Sequence, residues 1–180
     1  LTLSGETVAE GSASLVSGDE SASLTVEDID AAVTFAVTVS SEATGNDSPN
    51  GSATISEENT ADNTGTFTIT KGGDTLAAGN TASVTITVSG TATDADFSGM
   101  SGADYADIVA AIKAAATTAG LTVTGETATS LVVAWDSTDP AAFSVDLTAF
   151  NDDLKDSGQS VTLTLSGETV AEGSASLVSG

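Results

Sequence analysis

Residues 82–90 read ASVTITVSG, and the strict alternation of apolar and hydroxyl side chains in this stretch decides the fold. In an extended strand, Val84, Ile86 and Val88 lie on one face, while the intervening Ser and Thr side chains lie on the other. One apolar face and one polar face are typical of an antiparallel sheet with water on one side. We therefore predict that this stretch is a strand in the wall of a β-sandwich.

The same alternation recurs along the chain. Four further stretches show it, at residues 33–40, 66–70, 143–147 and 161–165. Two short apolar stretches, residues 121–124 and 131–135, predict two more strands, and Trp135 at the end of the second is interpreted as a core residue. Turn signals rich in Gly, Asn and Asp separate these stretches. The sequence therefore predicts a mainly β chain that folds as an antiparallel sandwich.

One segment, at about residues 103–119, breaks the alternation. Its apolar residues recur at helical spacing: Tyr105, Ile108, Val109, Ile112 and Ala116. Ser101 or Asp104 is expected to cap the start of the helix, and Gly120 fits the C′ position just after its end. We predict a single inserted α-helix that packs on the sandwich or covers one of its ends.

The chain contains an identical sequence twice. Residues 1–18 read LTLSGETVAEGSASLVSG, and residues 163–180 read the same, which gives a repeat period of 162 residues. Such identity predicts a tandem array, although an engineered duplication that completes a fold is the alternative. We interpret residues 1–30 as the C-terminal strands of the preceding repeat, and residues 31–180 as one module that lacks its own last strand. Strand addition by residues 1–30 of a neighbouring copy is predicted to fill that gap.

The composition excludes several function classes. The net charge is −23, with three Lys and no Arg, His or Cys. An imidazole base, a thiolate nucleophile and the usual zinc site are therefore excluded, and a surface this acidic repels nucleic acid. No apolar run is long enough to span a bilayer. Salt-adapted proteins share an acidic, Lys-poor composition, which would explain the total charge but not its clustering.

Acidic side chains gather at the ends of predicted strands. The clusters lie at residues 27–30, 57–58, 94–96 and 151–156. Carboxylates that lie this close repel one another, and a hard cation removes that repulsion. Calcium suits such clusters because it accepts six to eight oxygen ligands in flexible geometry. We therefore predict calcium as the bound cofactor, with a solvated turn as the alternative for any single pair.

The same stretches carry a resemblance to the Calx-beta family. Residues 55–97 are similar to the first half of that domain, through Ile55-Ser56-Glu57, Gly90-Thr91-Ala92 and Asp96-Phe97. Residues 143–165 resemble its later strand, acidic loop and returning strand, and residues 24–30 (LTVEDID) resemble its last strand. The resemblance implies an immunoglobulin-like antiparallel sandwich into which the helix is inserted.

The resemblance also implies a set of calcium ligands. Carried over by position, they are Glu57, Asp96, Asp152, Asp153 and Asp156, joined by Glu27, Asp28 or Asp30. The chain departs from the family in its acidic loop, where Lys155 stands among the acids, and Ser157 and Gln159 replace further ones. Many bacterial Calx-beta repeats belong to very large surface adhesins, so the implied location is extracellular, at the cell surface.

Three functions remain open from the sequence. The leading interpretation is a non-enzymatic extender or filament repeat whose partners are neighbouring copies and which calcium makes rigid. The alternative is a carbohydrate- or protein-binding adhesin module. An enzyme such as a glycosidase with two catalytic carboxylates is the third, and it is disfavoured because identical repeats would multiply an active site.

Overall fold

The computed structural model describes residues 10, 21, 23–25, 31–42, 52–152 and 158–178. These residues form eight strands, one α-helix and a short 3-10 turn at Asp94–Asp96. The elements, in chain order, are β1 (Ala31–Ser41), β2 (Thr64–Gly73), β3 (Ala82–Gly90), α1 (Ala106–Thr118), β4 (Thr122–Thr124), β5 (Ser130–Trp135), β6 (Ala142–Thr148), β7 (Val161–Val170) and β8 (Gly173–Leu177).

The strands form two four-stranded sheets. One has the order β6-β2-β1-β8 and the other β4-β5-β3-β7. Neighbouring strands are antiparallel except for β1 and β8, which are parallel. Apolar side chains from both sheets form one buried core. The prediction of a mainly β chain with two antiparallel-rich sheets is therefore confirmed.

The predicted alternation places the core. In β3, Val84, Ile86 and Val88 are buried, while the Ser and Thr residues between them are half-buried. Trp135 is fully buried, with its ring centroid 5.4 Å from that of Phe35 and 6.0 Å from that of Phe143. This aromatic cluster joins the two sheets, so the interpretation of Trp135 as a core residue is confirmed.

The predicted helix lies against one side of the sandwich. Ile108, Val109, Ile112 and Ala116 are its buried residues, and it packs on β6 of one sheet and on β4 and β5 of the other. Its C-terminus has the predicted glycine: Gly120 adopts φ +96°, and its N–H donates to the Thr117 carbonyl at 3.0 Å. The predicted helix is therefore confirmed, and it covers the side where the edge strands of the two sheets meet.

The predicted helix cap is wrong. Tyr105 occupies the N-cap position, and its hydroxyl donates instead to the Gly90 carbonyl at 2.8 Å. The first free N–H groups of the helix donate to the carboxylate of Asp94, from the preceding 3-10 turn. Ser101 and Asp104 lie nearer in sequence, but tertiary packing brings Asp94 to the helix start.

The second copy of the repeated sequence forms β7 and β8. β7 lies antiparallel to β3, and β8 lies parallel to the first five residues of β1. The contact with β1 requires a glycine, since Gly173 has φ +109° and a Cβ there would lie 2.0 Å from the Ala31 carbonyl oxygen. Of the first copy, residues 1–9 and 11–18 lie outside the described residues. The division into residues 1–30 and 31–180 therefore stays a prediction.

Candidate metal centre

Backbone hydrogen bonds bring two of the acidic segments together at one end of the sandwich. Phe97 forms an isolated antiparallel bridge with Ala149. The Phe150 N–H donates to the Asp96 carbonyl at 2.9 Å. These contacts extend past the end of β6, so Asp96 lies next to Phe150, directly before the acidic segment that begins at residue 151.

A third acidic segment reaches the same end through the loop before β2. The Ser56 N–H donates to the Asp62 carbonyl at 2.7 Å, which closes a loop that carries Glu57 and Glu58. The Ala149 N–H donates to the carbonyl of Asn63, just after this loop, at 2.8 Å. Three of the four predicted acidic clusters therefore converge in part on one end of the fold.

A groove of about 970 Å³ opens at this end, between the two sheets. Its polar lining includes residues whose side-chain oxygens suit a hard cation, namely Glu57, Glu58, Asp96, Asn151 and Gln159. Its apolar walls include Val37, Phe97 and Val161. The structure thus brings the predicted ligands Glu57 and Asp96 to one groove, and places Asp152 directly after the lining residue Asn151.

The carboxylate of Asp96 already has a structural role. Its Oδ2 accepts the Thr93 N–H at 2.7 Å and the Thr93 hydroxyl at 3.0 Å, so it caps the 3-10 turn. These bonds hold the side chain in place at the groove. Because both fall on one oxygen, a cation would approach Oδ1.

The described residues supply only part of the predicted ligand set. Within these ranges, no group of three or more Asp or Glu side chains lies close enough to hold a metal ion. The other predicted ligands lie outside the described residues: Asp153, Asp156, Glu27, Asp28 and Asp30. The oxygen donors that are described suit calcium in kind. The calcium site therefore stays a prediction that depends on the acidic loop and on the segment before β1.

Asp94 is a buried carboxylate whose role the sequence did not indicate. It is fully buried, and its oxygens accept the N–H groups of Asp107 at 2.8 Å and of Ile108 at 3.0 Å. Burial raises the pKa of the Asp94 carboxyl, and the two backbone donors oppose that rise. Asp94 therefore anchors the helix, whereas its neighbour Asp96 faces the groove.

The burial of β1 changes along its length. Val33 and Phe35 are buried where β8 flanks the strand, whereas Val37 and Val39, beyond the end of β8, are only half-buried and line the groove. Among the described residues, no strand pairs with this second half of β1 on the β8 side. As far as the described residues show, the stretch of β1 around Val37 and Val39 is therefore a strand edge beside the candidate site.

The chain matches no protein family, curated protein or solved structure. Of the helices in the described part of the chain, none has the length and apolar character needed to cross a membrane.

Proposed function

We propose that the chain is one period of a tandem array and serves as a non-enzymatic extender or filament repeat of a secreted or cell-surface bacterial protein. The observation that carries the proposal is the 18-residue repeat, whose second copy forms β7 and β8. Because the repeated segment supplies strands of the sandwich, the unit that repeats is part of a folded module, as in other repeat proteins.

The outer faces of the sheets support a structural role. Pairs of hydroxyl side chains join neighbouring strands, as between Thr68 and Ser144 at 2.8 Å and between Ser83 and Thr169 at 2.8 Å. Such pairs stabilise a sheet across its solvated face. The net charge of −23 makes neighbouring modules repel one another, which favours an extended and soluble array.

Calcium is proposed as the cofactor that makes the array rigid. Glu57, Asp96 and Asp152 would hold it, together with Asp153 and Asp156 of the adjacent loop. Support comes from the backbone hydrogen bonds that bring residues 57–58, 94–96 and 151–152 to one end of the sandwich. Calcium would neutralise these carboxylates. At extracellular calcium levels, a dissociation constant of about 10⁻⁴–10⁻³ M is sufficient.

A neighbouring copy is the proposed partner. Beside Val37 and Val39, no strand among the described residues pairs with β1 on its β8 side, and an added strand fits there. In residues 24–30 (LTVEDID), Leu24 and Val26 would lie on one face of an extended strand, and an acidic cluster follows them. Strand addition by this segment would cover the half-buried valines and carry Glu27, Asp28 and Asp30 toward the candidate metal centre.

Small-angle X-ray scattering of chains with one, two and three periods tests the extender role. We expect the maximum dimension to rise by one constant increment per period. We also expect the range of dimensions that fits the scattering curve to be narrower in calcium than in a chelator. A dimension that grows only as the cube root of chain mass would mean that the modules collapse together, and it would contradict the proposal.

A further inference from the structure

The surface that holds β7 and β8 has two chemically identical candidates to fill it. Residues 163–177 occupy it in the structure, and residues 1–15 have the same sequence. We propose that residues 1–15 are an alternative occupant, so that either copy can close the sandwich. The inference goes beyond the proposed structural role, and it rests on sequence identity and on the contacts of β7 and β8 rather than on calcium.

The surface is formed by the edge of β3 that pairs with β7 and the edge of β1 that pairs with β8. Along β3, Leu163 lies opposite Val88 and Leu165 lies opposite Ile86, and both leucines are buried. Along β1, Ala175 lies opposite Val33 and packs against the core. This binding surface, which we call the β7–β8 slot, therefore receives one apolar face of each strand.

Polar contacts also select this sequence. The Thr169 hydroxyl bonds to that of Ser83 at 2.8 Å, and the Glu172 carboxylate accepts the Asn80 side-chain N–H at 3.0 Å. Gly173 lies so close to Ala31 that a Cβ would clash. The first copy carries the identical residues at these positions, namely Thr7, Glu10 and Gly11. A copy in the same register would reproduce each contact.

The chain is long enough for the exchange. With Leu15 in the place of Leu177, the first copy would end beside Phe35, about 13 Å along β1 from Ala31 at the usual rise per residue. Residues 16–30 provide fifteen residues for that return, and fifteen extended residues span about 50 Å. The C-terminal copy is joined to β6 by residues 149–160, a connection of similar length. Loop-closure entropy grows only with the logarithm of length, so it separates the two arrangements little.

The C-terminal copy is the preferred occupant, because its residues form β7 and β8 in the structure. The first copy is the reserve.

The exchange has a consequence for an array. Each sandwich would have one closing pair of strands before it in sequence and an identical pair within it. Neighbouring modules could then exchange these strand pairs, which would link successive sandwiches without any new contact.

Substitutions in one copy or in both, within the full chain, test the proposal. The matched set is Leu3→Asp, Leu165→Asp and the double variant, with urea unfolding followed by the fluorescence of Trp135, the single Trp of the chain. We expect Leu3→Asp to leave the unfolding midpoint unchanged. Leu165→Asp should lower it by less than half of the shift seen in the double variant, because the first copy replaces the damaged one. A Leu165→Asp variant as unstable as the double variant would overturn the proposal.

A disulfide trap gives a second readout that does not depend on stability. Thr34 and Ser176 are register partners in β1 and β8, at a spacing of about 4.8 Å that permits a disulfide. The chain has no Cys, so no native thiol competes. In the Leu165→Asp background, Thr34→Cys with Ser14→Cys should cross-link on mild oxidation, within one chain or between two.

The matched control for the trap is Thr34→Cys with Ser176→Cys in the unsubstituted background. If this control cross-links while the Ser14→Cys pair stays reduced, the first copy does not enter the β7–β8 slot and the proposal is wrong.

Discussion

The carboxylate of Asp94 accepts the backbone N–H of Ile108 at 3.0 Å, and this bond ties the 3-10 turn to the start of α1. The second carboxylate oxygen accepts the Asp107 N–H at 2.8 Å. A helix start has unpaired N–H donors, and a buried acceptor from another element satisfies two of them here. The helix that closes one side of the sandwich is therefore held by a side chain two residues from the candidate metal ligand Asp96.

Asp94→Ala is expected to lower the free energy of unfolding by about 1–3 kcal/mol, because the buried N–H of Ile108 and the part-buried N–H of Asp107 lose their acceptor. Urea denaturation at neutral pH measures the change. Asp146→Ala is the control, since that carboxylate is exposed and, among the described residues, accepts only the Thr66 hydroxyl. A loss in Asp94→Ala no larger than in this control would contradict the capping role.

The pH dependence of Asp94 has a definite sign. Burial raises the pKa of its carboxyl above the usual 3.8, so the folded state holds the proton more tightly than the unfolded state. The stability that this protonation contributes is full below pH 3.8 and is lost as the pH rises through the higher folded pKa. We expect the stability of the wild type, relative to Asp94→Asn, to increase as the pH falls from 7 to 3, as measured by urea unfolding at each pH.

Asp136 provides the opposite sign within the same chain. The N–H and hydroxyl of Thr138 donate to its carboxylate at 2.6 and 2.7 Å, and they lower its pKa below 3.8. Its contribution is present above pH 3.8 and is lost as the pH falls through the lower folded pKa. Relative to Asp136→Asn, the wild type should therefore lose stability on acidification. Equal slopes for Asp94 and Asp136 would contradict both assignments.

Trp135→Ala is expected to destabilise the fold by about 3–5 kcal/mol, because the ring fills the core between Phe35 and Phe143. Circular dichroism during urea unfolding measures this, since the variant lacks the fluorescent reporter. Phe150→Ala is the control. Phe150 is 49% exposed, and its removal should change stability by about 0.5 kcal/mol or less. Similar losses in the two variants would contradict the assignment of Trp135 to the core.

The sequence predicted those parts of the fold that a local pattern determines. The alternation around Val84 and Ile86 predicts β3, and Gly120 predicts the end of α1, because both signals lie within the element itself. The cap by Asp94 escaped prediction, since it depends on packing between two elements. β8 did as well: residues 173–177 (GSASL) are short and small, and their parallel pairing with β1 has no local signature.

The candidate site could be predicted in the same partial way. Strand-end acids indicated the clusters at residues 57–58 and 94–96, and the family resemblance implied Glu57 and Asp96 as the ligands within them. The structure brings both to one groove. Two backbone hydrogen bonds, from Ala149 to Asn63 and from Phe150 to Asp96, place them there. Backbone hydrogen bonds of this kind cannot be predicted from the pattern of side chains. The sequence therefore indicated which residue types matter, but it could not indicate that Asp94 serves the helix while Asp96 faces the groove.

Thermal unfolding of the chain in calcium and in a chelator tests the calcium-stabilised repeat most directly, with magnesium at equal ionic strength as the control for screening. With a dissociation constant of about 10⁻⁴ M, 2 mM calcium should stabilise the fold by about 1.8 kcal/mol and raise Tm by about 4–7 °C. The increment should disappear in the Glu57→Gln/Asp96→Asn variant and persist in Asp146→Asn. The same Tm in calcium, magnesium and chelator would contradict the account.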